Sequence, residues 1–209
     1  MTRHKRKADR RQDLILAASR AMLAHGADRV QLSQVAEEAG LTSGAVLYHY
    51  PDLRDLLIEA QHAGLERFYS GRVAVGEGIA DPARRLVVTI RSGLPEGSDD
   101  SDVRLLCELG GAAARNRIYA TLLTSLFDRQ VAMYEVILGD GMAQGIFTLA
   151  DSARTVARNI VALEDAYGYR IVARHPVIGT SGAFGLILSY ARLATGNPLE
   201  AESAAGADN

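Results

Sequence analysis

Few residues of this chain have the type and spacing to do chemistry. Its five histidines (His4, His25, His49, His62 and His175) are scattered, with no pair at i and i+4 and no Cys-x-x-Cys. Neither a metal site nor a cofactor is therefore expected. Cys107, the only cysteine, lies in apolar helical surroundings and reads as core more readily than as a nucleophile. No catalytic constellation remains, and an enzyme is not expected. Two groups do stand out. Glu164 and Asp165 interrupt an otherwise apolar stretch beside Tyr167 and Tyr169. Such charges need a partner, and the favoured one is a salt bridge to Arg115, Arg158 or a dimer mate. The alternative is a counter-charge for a cationic ligand held against ring faces. The second group is Thr42, Ser43, Gly44, Leu47, Tyr48 and His49, where small residues, a phenol and an imidazole gather on one short segment. Small residues at a helix start let backbone amides approach phosphate, and a phenol can reach an oxygen while its ring rests on the helix.

These residues have to be positioned by helices. Apolar residues recur at spacings of three and four, and no alternating run is long enough for a strand, so the chain reads as all-α. Its 209 residues, 48% hydrophobic and 23% charged, suit a soluble protein with one small and one medium domain, or a single all-helical body with a specialised end. The longest apolar runs, such as Phe184 to Leu188, fall far short of the roughly 20 residues of a membrane span, and a cytoplasmic protein without a membrane partner is expected. The net charge of -2 hides an asymmetry: Arg3, Lys5, Arg6, Lys7, Arg10 and Arg11 precede Asp13 against the single acid Asp9. A basic arm of this kind reads equally as a phosphate or minor-groove contact and as a solvated tail.

Nine helices are expected. The first stops near Gly26 and the second at Gly40; Thr42 caps a third that Pro51 ends, and Asp52 opens a fourth running to Tyr69. Asp81 before Pro82 opens the fifth, Val103 to Cys107 lie in the sixth, and the seventh runs from Asn116 to Gly145. Asp151 opens the eighth, and the ninth follows the break at His175 to Gly179. The second and third helices, joined at Gly40, have the layout of a helix-turn-helix. Val35, Ala36, Leu41 and Val46 form its small core, and Ser43, Gly44, Leu47 and Tyr48 face outward.

The run Val35-Ala36-Glu37-Glu38-Ala39-Gly40-Leu41-Thr42-Ser43-Gly44, with Tyr48-His49-Tyr50 and then Leu56 and Leu57, resembles the TetR family signature. The resemblance covers about the first sixty residues. It implies a nine-helix homodimer that grips a palindromic double-stranded DNA operator and leaves it when a small-molecule effector binds, with repression suggested by family analogy. Thr42 and Ser43 match the start of the family's recognition helix, Tyr48 and His49 its phosphate contacts, and Tyr50 a packed phenylalanine. Leu47 stands in place of a usual tyrosine, Leu53 in place of a lysine for which Arg54 can substitute, and Gln31 in place of a threonine cap. On this reading residues 1–56 form the DNA-binding head, 57–195 the effector and dimer domain, and 196–209 a frayed tail.

Ligand contacts are expected from Tyr69, Cys107, Tyr134, Glu164, Asp165 and Tyr167, although most aromatics of the second half are ordinary core. The stretch from Gly141 to Tyr169 faintly resembles the choline-responsive repressors of the family, too loosely to name the ligand. The eighth and ninth helices are expected to form the dimer, with Gly179, Gly182, Gly185 and Ala191 keeping the last helix slim and Phe184, Ile187, Leu188 and Tyr190 supplying apolar area.

Overall fold

The computed structural model describes residues 3–200, with side chains from Asp9 onward. Over that span there are nine helices and no strand: α1 (Arg3–His25), α2 (Leu32–Glu38), α3 (Ser43–His49), α4 (Leu53–Gly76), α5 (Pro82–Ser92), α6 (Ser101–Ala113), α7 (Arg117–Ala143), α8 (Ala153–Val172) and α9 (Thr180–Thr195). Orphan amides at the helix starts find the expected oxygens. Thr42 Oγ1 accepts from the Ala45 amide at 3.2 Å, Asp52 Oδ1 from Arg54 at 2.8 Å, and Asp81 from Ala83 and Arg84. Two boundaries differ from expectation. The cap of α8 is Ser152, whose hydroxyl accepts from the Thr155 amide at 3.1 Å, while Asp151 accepts from Ser152 itself. Helix α4 runs past Tyr69 through Ser70 and Gly71, because Arg72 just beyond them is anchored by tertiary contacts that outweigh weak local propensity.

The described chain falls into two compact units. The first takes the residues up to Tyr69 together with Asp99–Leu126. Leu14, Ala18 and Met22 of α1 close over Val35, Ala36 and Val46, and Leu56 and Ala60 of α4 join the same core. Leu105 and Leu109 of α6 and Tyr119 of α7 belong to it as well, so this unit extends beyond residues 1–56. The basic segment from Arg3 to Arg11 continues into α1; the side chains of Arg3, Lys5, Arg6 and Lys7 lie outside the described residues.

The second unit takes Ser70–Ser98 and the residues from Phe127 onward, around Leu86, Ile90, Leu138, Val156, Ile160, Ile187 and Leu188. Two sequence expectations are corrected here. Ile187 and Leu188 are inside this core, so they do not supply outward apolar area of α9, whereas Phe184 and Tyr190 are half-buried against it. That area comes from Leu186 and Leu193, 50% and 79% exposed, on the opposite face of the helix beside exposed Gly182, Gly185 and Ser189. The chain also does not fray from Gly196. Asn197 Nδ2 donates to the Ile146 carbonyl at 3.2 Å, Arg192 Nε to the Pro198 carbonyl at 2.7 Å, and Leu199 is buried. The rest of the expected tail, 201–209, lies outside the described residues.

Candidate nucleic-acid interface

The α2–α3 pair is locked by its own backbone chemistry. Gly40, at φ 63, takes the left-handed conformation that ends α2. The Leu41 amide then bonds the Ala36 carbonyl at 2.8 Å and the Gly40 amide that of Glu37 at 3.0 Å, the paired bonds of a Schellman turn. At the other end of α2 the Gln31 amide donates to Gln34 Oε1 at 2.8 Å, which compensates for the missing threonine cap. Arg20 of α1 braces the turn, donating to both the carboxylate and the carbonyl of Glu38 at 2.8 Å. This bracing fixes α3 although, at seven residues, it is too short to be stable alone.

Of the set the sequence singled out, Thr42, Gly44, Leu47 and Tyr48 are turned to solvent. Tyr48 is 76% exposed and Leu47 is exposed beside it. Thr42 and Gly44 are exposed, Ser43 and His49 half-buried, and Arg54 is exposed at the start of α4. The Tyr48 and His49 rings meet edge to face with centroids 5.2 Å apart. His49 Nδ1 is buried with no hydrogen-bond partner among the described residues. Tyr50 is buried, as expected of the packed aromatic position, but its hydroxyl donates to Glu59 Oε2 at 2.8 Å. Arg11 donates to the same oxygen at 2.8 Å and lies over the Tyr50 ring, 4.5 Å from its centroid. Burial, and then the Glu59 carboxylate, push the Tyr50 phenol up to about 12. Sequence reasoning placed Arg11 in the arm and missed Glu59, whose half-buried carboxylate is partnered across 48 positions of sequence.

In the second unit the acid pair separates. Asp165 is exposed as a residue, though burial pushes its carboxyl up to about 6 against the pull of Arg72, whereas Glu164 is 2% exposed and receives Arg72 Nη2 at 2.8 Å on both oxygens. Its partner is thus neither Arg115, which pairs with Asp28, nor Arg158, which is exposed. The Tyr134 hydroxyl donates to Glu164 Oε1 and accepts from Arg72 Nη2 at 2.9 Å, Gln130 Oε1 accepts from Arg72 Nη1, and the Thr89 carbonyl shares the Nη2 protons at 3.3 Å. The backbone of Gly93 passes so close that a Cβ there would stand 2.2 Å from Glu164 Oε1 and 2.6 Å from Arg72 Nη2. Burial pushes the Glu164 carboxyl up to about 7, against the pull of Arg72 and Tyr134. Burial also works against the charge on Arg72, but Glu164 and Tyr134 more than offset it and the guanidinium pKa lies above its ordinary value. Of the expected ligand residues the fold therefore joins Tyr134 and Glu164. Tyr167 packs partly buried in the same unit's core, and Tyr69 and Cys107, both half-buried, belong to the first unit. Arg72 was missed, because only the residues after it, Val73-Ala74-Val75, are apolar, while Ser70 and Gly71 before it read as a helix end.

Residues 14–60 match the family described as bacterial regulatory proteins, tetR family. The fold is similar to that of a transcriptional regulator from Saccharomonospora viridis solved with choline, at 22% identity and a TM-score of 0.79 over 88% of this chain and 95% of that one. A TetR transcription regulator from Haloarcula marismortui gives 23% identity and a TM-score of 0.78 over 90% of this chain and 99% of that one. The regulator FadR from Bacillus subtilis, solved with stearoyl-CoA, gives 16% and 0.71 over 88% and 98%. No curated protein matches the chain in sequence. Residues 14–60 thus carry the tetR-family match, and the described chain shares its fold with these solved regulators. No helix among the described residues is long and apolar enough to cross a membrane.

Proposed function

We propose that this chain is a homodimeric repressor that holds a palindromic operator through α3 and is released by a small-molecule effector. Residues 1–56 serve as the DNA-binding head and 57–195 as the effector and dimer domain. The observation that carries the reading is the outward face of α3, which leaves Tyr48 almost wholly in solvent next to His49 on a helix otherwise locked by its turn. An exposed phenol and imidazole at the end of a braced helix suit phosphate contact, with Ser43, Gly44 and Leu47 against base edges and Arg54 on the flanking backbone. The dimer is supported by α9, where Leu186 and Leu193 flank Gly182, Gly185 and Ser189, and by exposed Ala162, Ala166 and Tyr169 on α8. A stripe of this kind lets helices of two copies approach closely while burying apolar area.

The effector contacts are proposed in the second unit, around Tyr134, Glu164 and Tyr167, with Asp165 reserved for the outward face of α8. Solved relatives hold molecules as different as choline and stearoyl-CoA, so the fold alone fixes no effector class. Arg72 already answers Glu164, and a cationic effector must compete with that guanidinium for the carboxylate. The DNA reading is tested on a duplex from upstream of the protein's own gene, titrated with salt beside a scrambled duplex. Preferential binding that weakens with salt is expected; equal affinity for both duplexes contradicts the proposal and leaves a helical ligand-binding protein that does not use its head.

A further inference from the structure

We propose that Arg11 is a fixed phosphate contact, pre-oriented by Glu59 and Tyr50 at the exit of the recognition helix, and not part of a loose basic arm. The inference rests on the DNA-binding reading of α3. Three helices meet at this point: Arg11 comes from α1, Glu59 from α4, and Tyr50 is the residue that closes α3 immediately after Tyr48 and His49. Glu59 Oε2 receives both the Arg11 guanidinium and the Tyr50 hydroxyl at 2.8 Å. The ring of Tyr50, only 3% exposed, gives the guanidinium a rigid surface to lie on, 4.5 Å from the centroid. A guanidinium is planar and carries five donors, so a carboxylate on one edge and a ring beneath fix its plane while other N–H groups stay available. Here the side chain remains 43% exposed. The charge is thus presented against Tyr50, the residue that closes α3, with its orientation already set, which lowers the ordering cost of a phosphate contact. Glu59 matters as the holder of that geometry, because without it the cation would sample many rotamers like any surface arginine.

The test measures binding of the full-length protein to a duplex enriched from a random pool, and to a scrambled duplex, by fluorescence anisotropy across about 50 to 200 mM salt. Wild type, Arg11→Ala and Arg11→Lys are compared, and melting temperature monitors the fold. Arg11→Ala is expected to lower the slope of log affinity against log salt by about 0.9 for each half-site. Arg11→Lys is expected to keep the slope but bind severalfold more weakly, since a flexible ammonium cannot hold a plane over the ring. A folded Arg11→Ala with an unchanged slope overturns the inference, and so does Arg11→Lys with full affinity, which decides the matter if the alanine variant does not fold. Wild type that prefers no duplex overturns the DNA reading and this contact together, whereas selective wild type with an unchanged alanine slope overturns the contact alone.

Discussion

Replacing Arg72 by Met strands a buried carboxylate, and the size and pH dependence of the damage follow from the geometry. The guanidinium serves both Glu164 oxygens, the Tyr134 hydroxyl, the Gln130 side chain and the Thr89 carbonyl. Breaking a buried pair by removing one partner costs about 3 to 5 kcal/mol. For a chain of this length each kcal/mol shifts the melting temperature by about 2–4 °C, so a loss of roughly 6–20 °C is expected. In the wild type, burial lifts the Glu164 carboxyl from an ordinary 4.5 to about 7. A folded-state pKa above the unfolded one means that the folded state holds the proton more firmly. The stability this contributes is present in full below the unfolded value and is lost as the pH rises through the folded one. Removing Arg72 takes away the charge that pulls this pKa down, so in Arg72→Met the decline continues to higher pH, at up to about 1.4 kcal/mol per pH unit. The loss relative to wild type should be larger at about pH 8 than at about pH 6, and Glu164→Gln added to Arg72→Met should recover much of it at the higher pH. Thermal and urea unfolding followed by circular dichroism measure all three proteins. A loss below about 1 kcal/mol, or the same loss at both pH values, refutes the buried-pair argument.

Tyr48→Ala should leave the melting temperature unchanged and weaken operator binding by about 1 to 3 kcal/mol, read by anisotropy, because the proposed role of its hydroxyl is phosphate contact and its 76%-exposed side chain supports no core. Leu193→Glu should convert a dimer into a monomer in light scattering, since this 79%-exposed leucine belongs to the proposed seam; a dimer of unchanged affinity would move the seam elsewhere. Gly93→Ala should cost about 1–3 kcal/mol in unfolding experiments, because its methyl must displace the Glu164–Arg72 pair, and an unaffected variant would mean that the cluster yields easily.

Local chemistry made most of the fold legible in the sequence. Thr42, Asp52 and Asp81 announce helix starts because their side chains reach the next free amides, and Gly40 announces a stop because the turn needs φ 63. The outward set of α3 was readable for the same reason, since a seven-residue helix with one buried valine can hide little. Long-range pairing was not readable. Glu164 visibly needed a partner, but Arg72 stands 92 positions away on a stretch whose Ser70 and Gly71 look like a helix end. The outward placement of Ile187 and Leu188 on α9 was misread because both faces of the helix carry leucine or isoleucine. Only the tertiary packing shows that Ile187 and Leu188 turn inward and Leu186 and Leu193 outward. Residues 196–200 looked frayed by composition, yet three backbone carbonyls of the neighbouring turns and of the segment itself accept from Asn197 and Arg192.

Selection of bound sequences from a random duplex pool tests the central claim most directly, since it asks for DNA recognition and two-fold assembly in one measurement. The account predicts a palindrome whose half-sites lie about one helical turn apart or somewhat further, and enrichment that disappears with Tyr48→Ala. A pool that stays random after repeated rounds, or a single non-repeated site bound by a monomer, would contradict it.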